Sequence, residues 1–196
     1  MEMTVTKTHE AGYAQALHGL GLPKGLTSRV SPEAVAESLA MAAGGDTLGD
    51  RLIRVSVKCA RAGNGHESYL ELIQTWWLIR APLFFWRQMD RYRMKSQISE
   101  STMHTLRGQE LGQGDFLHRL DEAELDRLNA MIRDPTADSE AIAARLPNGF
   151  MQSRAVCANY RELAAIMRQR KEHKLGVWRT LTDEVARQVD HPELLT

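Results

Sequence analysis

The run from Trp76 to Trp86, WWLIRAPLFFW, is the most apolar stretch of the chain, and Arg80 interrupts it. A helix crossing a bilayer needs roughly 20 apolar residues, so this run is too short to span one and must be covered inside a folded domain. Thr75, Trp76, Trp77 and Ile79 are β-branched or aromatic and predict a strand over Glu71–Ala81. Its apolar alternation is imperfect, which fits a strand covered on both faces. Pro82 closes the strand and opens a helix over LFFWRQMDRYR.

The rest of the chain reads mainly as helices. Ser31-Pro32-Glu33 is a cap, a first-turn proline and an acid, predicting a helix to Met41 that stops at Gly44-Gly45. Leu52, Val55, Cys59 and Ala62 recur at helical spacing within Leu48–Ala62, which ends at Gly63-Asn64-Gly65. Gly19–Gly25 reads as a loop, and the Ser- and Thr-rich Met94–Met103 as an ordered loop. Asp121–Arg133 is a helix stopped by Asp134-Pro135, and Ser139 caps a short one that stops at Pro147. Two more helices are predicted over Gln152–Lys171 and Leu175–Asp190. The predicted fold class is α+β: one helix-rich domain over residues 1–196 with a small, mainly antiparallel sheet.

The 25 basic residues balance 25 acidic ones, which argues against a binder of polyanions whose whole surface is basic. Any phosphate site is therefore local. With 43% apolar and 26% charged residues in 196, the chain has the composition of a soluble globular protein. The N-terminus has no apolar signal region, and Cys59 and Cys157 are isolated, so neither a zinc motif nor a disulfide framework is expected. A reduced, cytoplasmic protein is the expectation. Neither nucleic acid nor membrane is expected as a partner.

Three groups of residues carry chemistry. Arg87, Arg91, Arg93 and Lys95, followed by Ser99-Glu100-Ser101-Thr102, suit a phosphate, because guanidinium forks match its oxygens and hydroxyls add donors. On composition alone a solvated helix face with a capped loop is the favoured account, because charge runs are usually surface. Gly65-His66-Glu67 and Glu71 suit acid–base work, or simple hydrogen bonding. A metal is disfavoured, since no second His lies at ligand spacing. Asn159, Arg161, Arg168, Arg170 and Lys171 share one predicted helix, either as a functional face or as a surface paired with Glu162 and Glu172. Trp76, Trp77 and Trp86 read as core or interface rather than a base-stacking platform.

Taken in order, these residues resemble the flavin-dependent thymidylate synthases. The hallmark of that family is Arg-His-Arg, seven residues, then Ser, preceded by a Gly-His…Glu segment and an Arg-Gln. Here these are Gly65-His66…Glu71, Arg87-Gln88, and Arg91-Tyr92-Arg93 with Ser101 after seven residues. Leu146-Pro147, Asn159-Tyr160-Arg161 and Arg170 follow at the family's spacings, and the similarity covers about residues 50–185. The pattern departs where the central His is Tyr92 and where Ile98-Ser99 stands for an Asn-Glu, the acid having moved to Glu100. An arginine two residues after the Ser is Met103, with His104 or Arg107 as replacements, and an arginine before Leu146 is Ala143, with Arg145 nearest. These departures resemble a divergent branch that includes phage proteins and an enzyme of polyoxin nucleoside-antibiotic biosynthesis acting on UMP as well as dUMP.

The resemblance implies a homotetramer with active sites between subunits, using FAD, NADPH and 5,10-methylenetetrahydrofolate to methylate C5 of a uridine monophosphate. Carried over, His66, Glu71, Tyr92, Arg93, Asn159 and Arg161 hold the flavin. Gln88, Arg91, Ser99, Glu100, Ser101, Arg145 and Arg170 hold the nucleotide, with Arg170 beside the pyrimidine and Ser101 a donor rather than a triad nucleophile. No metal is implied, and no cysteine attacks the base: Cys59 and Cys157 both fall in predicted helices with apolar neighbours. The alternatives are a hydroxymethylase of the same substrate, or a non-catalytic nucleotide- or RNA-binding protein on this fold.

Overall fold

The structure, a computed structural model, describes residues 2–106 and 109–195. Strands β1 (Thr4–Ala11), β2 (Gln74–Pro82), β3 (Lys95–Ser99) and β4 (Met151–Asn159) form a small antiparallel sheet in the order β1-β2-β4-β3. The α-helices are α1 (Tyr13–Gly21), α2 (Pro32–Ala40), α3 (Leu48–Ala62), α4 (Leu83–Met89), α5 (Thr102–Thr105), α6 (Glu122–Arg133), α7 (Ser139–Arg145), α8 (Tyr160–Arg170) and α9 (Gly176–Gln188). This is the α+β class read from the sequence. Among the described residues no helix is long and apolar enough to cross a membrane.

Several elements differ from the sequence reading. The predicted helix over Gln152–Lys171 is strand β4 followed directly by α8, because residues 151–159 pair with β2. Cys157 therefore lies on a strand, not a helix. Met94–Met103 is not a loop throughout, since Lys95–Ser99 pairs at the sheet edge as β3. The helix after Pro82 ends at Met89 rather than Arg93. The Gly19–Gly25 loop starts late, because Gly19, Leu20 and Gly21 finish α1. A 3₁₀ turn, Ser68–Leu72, occupies the start of the predicted strand, so β2 begins at Gln74. Along β2, Thr75, Trp77, Ile79 and Ala81 are buried, whereas Trp76 is 38% and Leu78 52% exposed, so this chain covers one face only.

The described residues cluster into two compact units. One comprises residues 2–6 and 78–156. Its core gathers Leu106, Leu111, Phe116, Leu128, Ile132, Ile142 and Phe150. Phe116 and Phe150 meet edge-on at 5.9 Å. Asn129 is buried among them and pays its polar debt through both backbone groups of Leu111, at 2.8 and 2.9 Å. Trp86 is buried, and its indole N–H is shared by the carbonyls of Ala81 at 3.1 Å and Gln152 at 3.0 Å.

The second unit comprises residues 7–77 and 157–195, where α1 packs on α2 and α3, and α8 on α9. Thr47 and Asp50 form a capping box at the start of α3. The nearly buried Asp50 carboxylate also accepts from the amides of Ala43 at 3.0 Å and Gly44 at 2.7 Å. Gly49 lies against the backbone of Ser38, where a Cβ would come within 2.6 Å of the carbonyl carbon. Within this unit β2 and β4 are locked by Thr75 Oγ1 donating to the Ala158 carbonyl at 2.7 Å and by Tyr160 N–H donating to the Ile73 carbonyl at 3.0 Å.

Candidate functional site

In the unit of residues 7–77 and 157–195, α3 ends at Gly63, whose φ of 61° turns the chain into Asn64-Gly65-His66. Glu67 accepts from the Gly65 amide at 3.0 Å and stabilises that turn. The 3₁₀ turn then delivers Glu71, which forms an ion pair with Arg161, while Glu67 lies 3.7 Å from the same guanidinium. Two segments 90 residues apart thus meet at residues that the family resemblance groups together. His66 and Glu71 line a cavity of ≈ 420 Å³ with Lys24, Cys59, Tyr69 and Leu72. That volume lies within the range of small-molecule sites, about 300–1,000 Å³.

Asn159 caps α8, its side-chain oxygen accepting from the Glu162 amide at 2.9 Å, which leaves the amide NH₂ group for other contacts. Tyr160 anchors the same junction. Its hydroxyl donates to Glu10 at 2.6 Å and accepts from the His191 amide at 3.1 Å. Burial, reinforced by Glu10, pushes that phenol well above its ordinary pKa. Arg170 closes α8 with its guanidinium 4.6 Å from the centroid of the buried Trp178 ring. Cys157, on β4, has its thiol raised by burial, which works against a nucleophilic thiolate.

In the unit of residues 2–6 and 78–156, α4 presents a half-buried Gln88, and the turn beyond it carries Arg91, Tyr92 and Arg93. Arg91 and Arg93 are exposed and have no carboxylate partner among the described residues. Ser99 ends β3, and Ser101 precedes α5, both exposed. Glu100 is tied to β4: its amide donates to the Ser153 carbonyl at 3.0 Å, and its carboxylate accepts from the Ser153 amide at 3.0 Å. It also lines a polar cavity of ≈ 270 Å³ with Arg80, Thr105 and Asp115. Arg145, in the last turn of α7, lines a separate cavity of ≈ 590 Å³ with Glu124, Arg127 and Met131. His104 is exposed on α5, while Arg107 and the Met103 side chain lie outside the described residues. Among the described residues no cluster of three metal-ligating side chains occurs.

Sequence reasoning did not pick out Asp90, Arg154 or Trp178. Asp90 and Arg154 join over 64 residues and Arg170 reaches Trp178 across an interhelical loop, so no local spacing announced either contact.

No protein-family model and no curated protein sequence matches the chain. Solved structures do. A Helicobacter pylori thymidylate synthase X, solved with FAD and dUMP, superposes with a TM-score of 0.72 over 99% of this chain and 97% of its own, at 18% identity. The chain has the flavin-dependent thymidylate synthase fold. The UMP/dUMP methylase PolB from Streptomyces cacaoi, bound with 5-Br dUMP, shares that fold with a TM-score of 0.68 over 99% of this chain and 94% of its own, at 14% identity. So the fold extends over essentially the whole chain, and it includes the divergent branch that the departures at Tyr92 and Met103 resemble.

Proposed function

We propose that this chain is a flavoenzyme that methylates C5 of a uridine monophosphate, UMP or dUMP. In this reading methylenetetrahydrofolate is the one-carbon donor and NADPH the reductant, and the enzyme works as a cytoplasmic homotetramer. The observation that carries the reading is that Glu71, which pairs with Arg161, lines one cavity with His66, on a fold whose solved relatives include one holding FAD and dUMP.

The residues present suit the proposed ligands. Arg91 and Arg93 offer guanidiniums that no carboxylate of the described residues neutralises, as a phosphate or pyrophosphate requires. His66, Glu71, Tyr92, Arg93, Asn159 and Arg161 would hold the flavin, which supplies the relay of the one-carbon unit to the base. Gln88, Arg91, Ser99, Glu100, Ser101 and Arg145 would hold the nucleotide. Arg170, its guanidinium 4.6 Å from the Trp178 ring centroid, would stabilise negative charge developing on the uracil. The outward Trp76 and Leu78 of β2 would be covered by a neighbouring subunit.

The deciding experiment is product analysis by mass spectrometry. The purified protein is given UMP or dUMP with methylenetetrahydrofolate, FAD and NADPH, and a C5-methylated product is expected. A hydroxymethylated product would replace the methylase by a hydroxymethylase. A protein that neither acquires flavin absorption nor turns over would refute the proposal. Arg93→Ala should weaken FAD binding by about 1.5–3 kcal/mol, the worth of a charge-assisted contact. An unchanged titration would remove Arg93 from the site.

A further inference from the structure

Asp90 is the sole acid in the segment RQMDRYRMK, which otherwise carries four cations. It follows the last residue of α4 and opens the turn that bears Arg91, Tyr92 and Arg93. Its Oδ1 accepts from Gln97 Nε2 on β3 at 2.6 Å and from Arg154 Nη1 on β4 at 2.9 Å. Lys95 Nζ stands 3.8 Å away. The side chains of Lys95 and Arg154 are only 4% and 14% exposed, so two nearly buried cations share this carboxylate.

The partners of Asp90 are themselves held. Arg154 donates through Nε to Gln152 Oε1 at 3.1 Å, and its guanidinium lies 4.4 Å from the Trp86 ring centroid. Gln97 is placed so that its amide nitrogen reaches Asp90 while its buried amide oxygen has no partner among the described residues. Asp90 thereby occupies the inner cations and leaves the outer pair, Arg91 and Arg93, uncompensated. An anion meeting the turn would find two guanidiniums whose backbone is tied to two strands.

We infer that Asp90 is a positioning residue: it ties the turn to β3 and β4 so that Arg91 and Arg93 meet the nucleotide and the flavin already oriented. The inference rests on the proposed function. Holding contact groups in place is worth large factors in affinity and rate, because slack of an ångström removes much of the benefit. Asp90 touches no ligand in this account and acts through its two arginine neighbours.

The test uses the full-length protein and two substitutions. Asp90→Ala and Asp90→Asn both remove the negative charge, but only Asn keeps an oxygen that accepts from Gln97 and Arg154. Affinities for FAD, by flavin fluorescence, and for dUMP and UMP, by calorimetry, are measured with thermal unfolding of each variant. Asp90→Ala should weaken both ligand classes at least about tenfold, and Asp90→Asn should recover all but about threefold of it, since a neutral acceptor keeps roughly half a charged bond's strength. Equal weakening in both variants would make the role one of charge balance and overturn positioning, as would wild-type affinity in Asp90→Ala. Should Asp90→Ala fail to fold, Gln97→Ala, which removes one tie and spares the Asp90–Arg154 pair, must weaken both ligands at least about threefold; wild-type affinity there overturns the inference. If the unaltered protein binds neither flavin nor uridylate, the proposed function fails and this inference falls with it.

Discussion

Arg170→Ala separates a structural from a catalytic contribution, because the geometry assigns a size to each. Structurally, the residue loses a cation–π contact of 4.6 Å with Trp178, which is fully buried. Arg170 itself is half-buried, so that contact is worth about 1 kcal/mol. A chain of this size shifts its melting midpoint by about 2–4 °C for each kcal/mol, so the midpoint should fall by that amount and flavin should still bind. Catalytically, removing one preorganised group aimed at developing charge lowers kcat by about 10²–10³. At saturating uridylate, turnover should therefore fall at least about a hundredfold while KM changes little. Arg170→Lys should recover only part of the loss, since an ammonium keeps the charge but neither the planar fork nor the stacked fit. Product formation by mass spectrometry, with thermal melts of the same preparations, reads both effects. A normal kcat beside the small stability loss would show an arginine that only stacks on Trp178, and the catalytic role would be refuted.

Trp86→Phe removes the N–H that serves the carbonyls of Ala81 and Gln152; it should destabilise the protein by about 1–3 kcal/mol in thermal or urea unfolding, and an unchanged midpoint would contradict the hydrogen-bond account. Asp50 is held at a pKa of about 2, below the usual 3.8, chiefly by the Thr47 hydroxyl and then by the amides of Thr47, Gly44 and Ala43. Its stabilisation is full above about pH 4 and fades as pH falls toward 2, so melts across that window should steepen their decline in the wild type relative to Asp50→Asn. Gly49→Ala forces a methyl against the Ser38 backbone and should lower stability by about 1–3 kcal/mol; a neutral result would mean that α2 and α3 can part easily. Light scattering should report a tetramer, and Leu78→Glu, which puts a charge on the outward face of β2, should shift it toward smaller species.

The helices with strong end signals were legible in the sequence. Ser31 before Pro32 and the Gly63-Asn64-Gly65 turn after α3 are local chemistry, and local chemistry survives folding. The strands were less so. Thr4–Ala11 contains a single buried apolar residue, Val5, followed by a polar run to Glu10, and Lys95–Ser99 carries an exposed Ile98, so neither displays a strand's apolar face. They are strands because of the neighbours they pair with. β4 was hidden differently, since no glycine or proline separates Met151–Asn159 from α8 and the two read as one helix. At the candidate site, the family resemblance groups Glu71 with Arg161, and the fold pairs the two as ions. The Asp90 clasp and the Trp178 platform use residues from remote segments, and their partnerships arise only from the fold.

The direct passage from β4 into α8 leaves no slack in the chain. Asn159 is the last residue of the strand and the cap of the helix, and Tyr160 N–H still bonds across to the Ile73 carbonyl. The end of the strand therefore also sets the phase of the helix. One residue inserted between the Asn159 cap and Arg161 would carry Arg161 and Arg170 around the helix axis by about 100°, away from Glu71 and Trp178. Genetic drift can alter side chains at this junction, but its residue count is bound to the direction in which both arginines point.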